Sequence, residues 1–228
     1  MLWLVTGGVG SGKSAFAERW AAAHGREAIK LACPAWPNGN GRFEDEIAVS
    51  AENAKAANWT TAPADHGLAE RLRRINLRSN PFRASSRVVV VDSLSGWLRR
   101  EVEETRKLFP RAEAPSPPRR GRRRKPVETE EVFLRRAALL EKALGEVVEE
   151  LLSFDGSRIV VTEEAAAGLA DDPWERWYVR QLAYANRRLG EASDGIHRLS
   201  FGIATEIKGT RIRERGTNRD ENLYPNRG

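Results

Sequence analysis

The chain reads as an α/β protein of the phosphate-loop NTPase type, a mostly parallel sheet with helices on both faces. Three observations predict this. Short continuous apolar runs at residues 2–6, 87–92 and 158–162 have the composition of strands buried on both faces. These runs alternate with longer stretches of helical composition, the order that builds a parallel sheet covered by helices. The first run leads through Gly7-Gly8-Val9-Gly10-Ser11-Gly12-Lys13-Ser14 into the alanine-rich stretch 15–24. A Gly-x4-Gly-Lys-Ser pattern therefore stands between a strand and a helix, the context it requires.

The elements follow in order. Residues 2–6 form the first strand, 15–24 the first helix and 27–32 the second strand. The stretch 34–41, with two prolines and two glycines, is a loop, and 44–57 has helical composition. Residues 59–61 form a short strand and 68–75 a helix, and 87–92 is a buried strand ending in Asp92. Residues 95–107 are helical, 130–152 form a long amphipathic helix, and 158–162 are another buried strand. A helix at 174–192 and a strand at 196–203 close the pattern. No internal repeat is present. The expected organisation is one phosphate-loop domain over 1–208, interrupted by a disordered basic insertion at about 108–127, with a loose polar tail at 209–228.

Composition narrows the class. A length of 228 residues suits one α/β domain with insertions, and 40% hydrophobic residues supply a sizeable core. The single cysteine, Cys33, excludes an intrachain disulfide, suits a reducing compartment and reads as buried and inert. No apolar run approaches the roughly 20 residues of a membrane span. The first strand begins at once, leaving no room for a signal peptide, so a cytoplasmic protein is expected.

The net charge of +6 is unevenly placed: nine basic residues and one acidic one fall between Arg106 and Lys125, leaving the rest near neutral. This stretch has several prolines and almost nothing to bury, as in a disordered surface loop. Because residues 115–126, where most of these charges cluster, hold no interleaved aromatic for base stacking, a solvated insertion is expected rather than a nucleic-acid contact.

The chemistry centres on the glycine-rich loop. Its glycines, Gly7, Gly8, Gly10 and Gly12, with Val9 and Ser11 between them, let successive N–H groups converge on phosphate oxygens. The N-terminus of the next helix adds a favourable dipole. Lys13 is expected to reach the β- and γ-phosphates and Ser14 to ligate Mg²⁺, with ATP or GTP as co-substrate. Asp92, an acid ending a buried strand, is the second Mg²⁺ candidate; the alternative is that it caps the next helix. Catalytic roles thus fall to Lys13 and Asp92. Glu163 and Glu164 follow a strand end, where substrates sit in open α/β sheets, and either contact substrate or metal or serve as a structural cap. Arg180, Arg187 and Arg188 read as solvated helix arginines rather than phosphate ligands. Trp174 and Trp177, three apart on one helical face, read as core or subunit-interface anchors.

A family resemblance rests on these residues and on segments that share its order. Leu4-Val5-Thr6-Gly7-Gly8, Ser11-Gly12-Lys13-Ser14 and Phe16-Ala17-Glu18 resemble the opening of the bifunctional adenosylcobinamide kinase/adenosylcobinamide-phosphate guanylyltransferases of cobalamin biosynthesis. Asp45-Glu46-Ile47, Trp59-Thr60-Thr61, Val90-Val91-Asp92-Ser93-Leu94 with Trp97-Leu98, Val161-Thr162-Glu163-Glu164 with Gly168-Leu169, and Asn186-Arg187-Arg188-Leu189 followed by Ser193-Asp194 and Gly202-Ile203 resemble its later motifs. The match covers roughly 1–208 apart from the insertion. The resemblance implies a two-step enzyme. A nucleoside triphosphate phosphorylates the aminopropanol hydroxyl of adenosylcobinamide, a corrinoid; a histidine then carries GMP from GTP to that phosphate. It also implies a homotrimer.

The sequence departs from the family in one place. The family histidine, eight residues before the tryptophan of its Trp-Arg-Thr motif, corresponds to Ala51 here. The three histidines are His24, His66 and His197, so none lies between 24 and 66. The basic run that follows is reduced to Lys55, and the segment 45–59 is a few residues short. The position of the guanine-contacting glutamate is Pro63, which has neither a carboxylate nor an N–H. The expectation is an intact kinase site and a degraded guanylyltransferase site. His66 reads as a surface residue at a helix start rather than a displaced nucleophile.

Overall fold

A computed structural model describes residues 1–33, 59–78, 86–107, 129–165 and 172–209. Its strands are β1 (Leu2–Gly7), β2 (Glu27–Ala32), β3 (Trp59–Pro63), β4 (Arg87–Asp92), β5 (Ser157–Val161), β6 (Gly195–Ser200) and β7 (Ile203–Lys208). Its helices are α1 (Lys13–His24), α2 (Leu68–Arg78), α3 (Leu94–Lys107), α4 (Glu130–Leu152) and α5 (Pro173–Ala192). The loop at 34–41, the helix expected at 44–57, the basic insertion expected at about 108–127 and the tail beyond Gly209 lie outside the described residues.

The strands form one sheet in the order β3-β2-β4-β5-β1-β6-β7, parallel except for β7. Period-two alternation sorts β1 between two cores. Trp3 and Val5 meet α1 through Ala17 and Ala21, with Val88, Val90 and Ile159 beside them. These alanines have no bulk beyond Cβ, so α1 can lie close to the sheet. On the opposite face Leu2, Leu4, Val89 and Val91 meet Leu72, Trp97, Leu144 and Leu182 from α2, α3, α4 and α5. Helices thus cover both faces, as the strand–helix alternation predicts. Caps fix where the later helices begin. Thr129 Oγ1 accepts from Val132 N at the start of α4, and Asp172 from Trp174 N at the start of α5, where Pro173 follows. Among the described residues no helix is long and apolar enough to cross a membrane.

The last strand departs from the sequence reading. The strand expected at 196–203 is two: β6 stops at Ser200, Phe201 (φ 53°) and Gly202 (φ 80°) reverse the chain, and β7 returns antiparallel. Two successive positive φ values match the twist of a two-residue hairpin loop. Lys208 ends β7 and donates to the carbonyls of Gly190 and Glu191 at 2.9 Å.

Candidate functional site

The glycine-rich loop leaves the C-terminal end of β1, in the middle of the sheet. Gly7 (φ 148°) passes under the β6 backbone, where an added Cβ would lie 2.3 Å from the Leu199 carbonyl oxygen, so only glycine fits. Ser11 N donates to Gly8 O at 3.3 Å, and Gly12, in the left-handed region at φ 90°, turns the chain into α1. Lys13 is the first residue of that helix, so the free N–H groups of its first turn open toward the loop. The buried Lys13 ammonium donates to Gly8 O at 2.6 Å and lies 3.8 Å from Glu163 Oε1.

Asp92 ends β4, and the exposed Ser14 hydroxyl donates to its Oδ1 at 3.0 Å. An octahedral Mg²⁺ with bonds of about 2.1 Å sets adjacent ligands about 3.0 Å apart, so these two oxygens fit that ion as neighbouring ligands. The capping alternative for Asp92 goes to its neighbour: Ser93 Oγ accepts from Gly96 N at 3.0 Å in the first turn of α3.

The site also contains a cation that motif reading missed. Ala32 of β2 pairs with Asp92 of β4, which places Lys30, two residues back on β2, on the same face of the sheet. The buried Lys30 Nζ lies 3.2 Å from Asp92 Oδ2 and donates to Glu18 Oε1 of α1 at 2.6 Å. Burial works against its charge, but the Asp92 and Glu18 carboxylates outweigh it and hold the Lys30 pKa above the usual lysine value. One signal was available: a lysine in the middle of a strand whose neighbours are apolar.

The two glutamates after β5 diverge. Glu163 faces Lys13, while Glu164 turns to Arg198 of β6, with a closest approach of 2.7 Å. Thr162 Oγ1 donates to Asn186 Oδ1, and Asn186 Nδ2 donates to Glu163 O, both at 2.8 Å, which ties the β5 end to α5. The hairpin tip closes the other side of the loop, where Gly202 N donates to Ser11 O at 3.0 Å.

Other singled-out residues lie apart from this cluster. Arg187 pairs with Glu191 at 3.8 Å and Arg188 with Glu149 at 2.7 Å. Trp174 is buried in the core, with Trp177 edge-on to it at 6.0 Å between ring centroids. Cys33 is buried, and burial pushes its thiol pKa well up, as expected for an inert cysteine. His66 is exposed on the turn before α2, beside Glu101 and Glu104 of α3, and Pro63 is the last residue of β3. A groove of about 590 Å³ lies between β2, β3 and α2, and no residue of the glycine-rich loop lines it. Ala51 lies outside the described residues.

No curated protein matches the chain. Among solved structures it is similar to the flagellar accessory protein FlaH from Methanocaldococcus jannaschii, at 11% identity and TM-score 0.41, over 91% of this chain and 78% of that one. That distant likeness carries no further weight. The family comparison reaches much further, and it agrees with the motifs read along the sequence. A model described as cobinamide kinase/cobinamide phosphate guanyltransferase matches residues 3–207, and the chain belongs to that family.

Proposed function

We propose that the protein is a nucleotide-dependent kinase that phosphorylates the aminopropanol hydroxyl of adenosylcobinamide, and that its guanylyl-transfer half has lapsed. One observation carries the kinase reading: Lys13, Ser14, Asp92 and Glu163 converge at the mouth of a glycine-rich loop at a helix N-terminus. A bound ATP or GTP displaces the Lys13 ammonium from Gly8 O onto the β- and γ-phosphate oxygens, while loop N–H groups hold the remaining oxygens. Ser14 and Asp92 would hold Mg²⁺, which would supply charge to offset the phosphates. Lys30 keeps Asp92 aimed by holding its second oxygen. The acceptor hydroxyl oxygen bonds to the γ-phosphorus as the bond to the β–γ bridging oxygen breaks. Glu163 orients that hydroxyl and accepts its proton. Positioning and charge compensation are all this reaction asks of a protein.

Guanylyl transfer asks for more, a nucleophile in line with the α-phosphorus. Ala51 and Pro63, which stand where the family pattern has its histidine and glutamate, provide no nucleophile and no carboxylate.

The test is turnover of Mg·ATP and Mg·GTP with and without adenosylcobinamide. Nucleoside diphosphate formed only with the corrinoid, together with phosphorylated corrinoid, is the expected result. Turnover stimulated by a different small alcohol would make the protein another kinase, and nucleotide binding without turnover would make it a regulatory binder.

A further inference from the structure

The family membership says nothing of where the base of the nucleotide rests. We propose that Phe201, at the tip of the β6–β7 hairpin, is the platform on which that base stacks. The inference rests on the nucleotide site proposed above.

The polarity of the site sets the direction. Ser14–Asp92 and Lys13–Glu163 engage the ends of β4 and β5, which lie on one side of β1 in the sheet. They mark the terminal-phosphate end. A triphosphate lying in the loop then carries its nucleoside out on the opposite side, where β1's other neighbour is β6.

On that side the hairpin is part of the loop's wall. Gly202 N is bonded to Ser11 O, Gly7 lies against the Leu199 carbonyl, and a Cβ on Gly12 would lie 3.5 Å from Gly202 Cα. Beside these contacts stands Phe201, 98% exposed, with φ 53°. Hairpin positions of this kind ordinarily take glycine, asparagine or aspartate, because a bulky side chain strains the left-handed conformation. Phe201 bears that strain and also leaves its whole ring in water, so it gives the fold nothing in return. A nucleobase would cover the ring. Stacking on an aromatic face tolerates any base and is strongest for large ones. The ligand class is therefore purine nucleoside triphosphates, with little choice between adenine and guanine.

The test compares dissociation constants for ATP, GTP and inorganic tripolyphosphate, all with Mg²⁺, in the wild type, Phe201→Ala, Phe201→Gly and Phe201→Trp. Losing the ring should weaken ATP and GTP alike by roughly 5- to 100-fold, the scale of one base–aromatic stack. Tripolyphosphate binding should not change. Phe201→Gly suits the positive φ, so it should keep or raise Tm while losing the same base affinity. Phe201→Trp should retain affinity and show fluorescence quenched by ATP but not by tripolyphosphate. A ratio of nucleotide to tripolyphosphate affinity that stays the same in Phe201→Ala and Phe201→Gly overturns the proposal while leaving the nucleotide site standing. A wild type that binds none of the three overturns the nucleotide site itself, and the platform with it.

Discussion

Two ends of the same sheet edge use their polar residues in opposite ways. At the ends of β1, β4 and β5 the charges converge: Lys13 on Glu163, Ser14 and Lys30 on Asp92, and Glu18 on Lys30. At the end of β3 they serve the chain itself. Asp65 Oδ1 accepts from Gly67 N, its Oδ2 holds Arg71, and its carbonyl accepts from the Trp97 indole N–H at 2.9 Å, which pins the turn into α2 against α3. His66, on that turn, faces two carboxylates of α3 and the solvent. Gathering buried charges at one point costs desolvation, and such clusters recur where a ligand shares the charge. The centre thus has the form of the proposed nucleotide site, and the edge that of a well-made turn.

The largest effect belongs to the centre. Lys13→Ala should lower turnover about 10²- to 10³-fold, the scale of losing one donor to the developing charge; unchanged kinetics would mean that the central cluster is not the reacting site. Lys30→Met comes next. It leaves two carboxylates without their counter-charge, and a denaturant titration should show a loss of about 2–3 kcal/mol. That is below the range for fully enclosed pairs, because Glu18 reaches solvent. Lys30→Arg should recover part of the loss. Since the folded-state pKa of Lys30 is raised, its stabilisation is full below the unfolded lysine value of about 10.4 and fades as pH climbs through the higher folded value. Wild type and Lys30→Met should therefore converge in strong alkali.

At the edge removing the charge should stabilise rather than destabilise, although the pH dependence runs the same way. Burial first, and then the neighbouring Glu104, raise the Glu101 pKa, and the buried Glu101 Oε1 accepts no hydrogen bond from the described residues. The folded state then binds the proton more tightly than the unfolded state, so this group's contribution falls as pH rises through the window above the ordinary glutamate value. Glu101→Gln should be slightly more stable than wild type at neutral pH, by about a degree or two in Tm after solvent screening, and should lose that advantage in acid. A large destabilisation would show that the ionised carboxylate holds something at the edge. The smallest expected signal is none at all. Incubation with α-labelled GTP and Mg²⁺ should leave no acid-labile label on the protein; stoichiometric label mapping to His66 would turn the edge into a second reacting site.

Much of this was legible in the sequence where the cause is local. Glycine spacing marks the loop, continuous valines mark β4, and an acid at the end of an apolar run marks Asp92. What was not legible depends on strand pairing. Lys30 matters because β2 lies beside β4 in the register that joins Ala32 to Asp92, and nothing near residue 30 says so. The different fates of Glu163 and Glu164 depend on Arg198, a residue of the last parallel strand. The hairpin at Phe201-Gly202 was hidden because its first turn residue is an aromatic where a turn former is expected, and because β7 is an exposed edge strand without apolar–polar alternation.

The position of β1 has a consequence for how the protein comes into being. Of the strands in this sheet, the first in chain order is an interior one: Leu2 waits for Arg158 and Trp3 for Gly195. At about 5–20 residues per second, a nascent chain holds Leu2-Trp3-Leu4-Val5 unpaired for on the order of ten seconds or more before either neighbour leaves the ribosome. The glycine-rich loop waits longer still, since its brace, Gly202, follows both neighbours in the chain. The sheet therefore cannot grow outward from β1 as the chain is made, and a chain interrupted between β1 and β6 carries an apolar strand with at most one of its two neighbours.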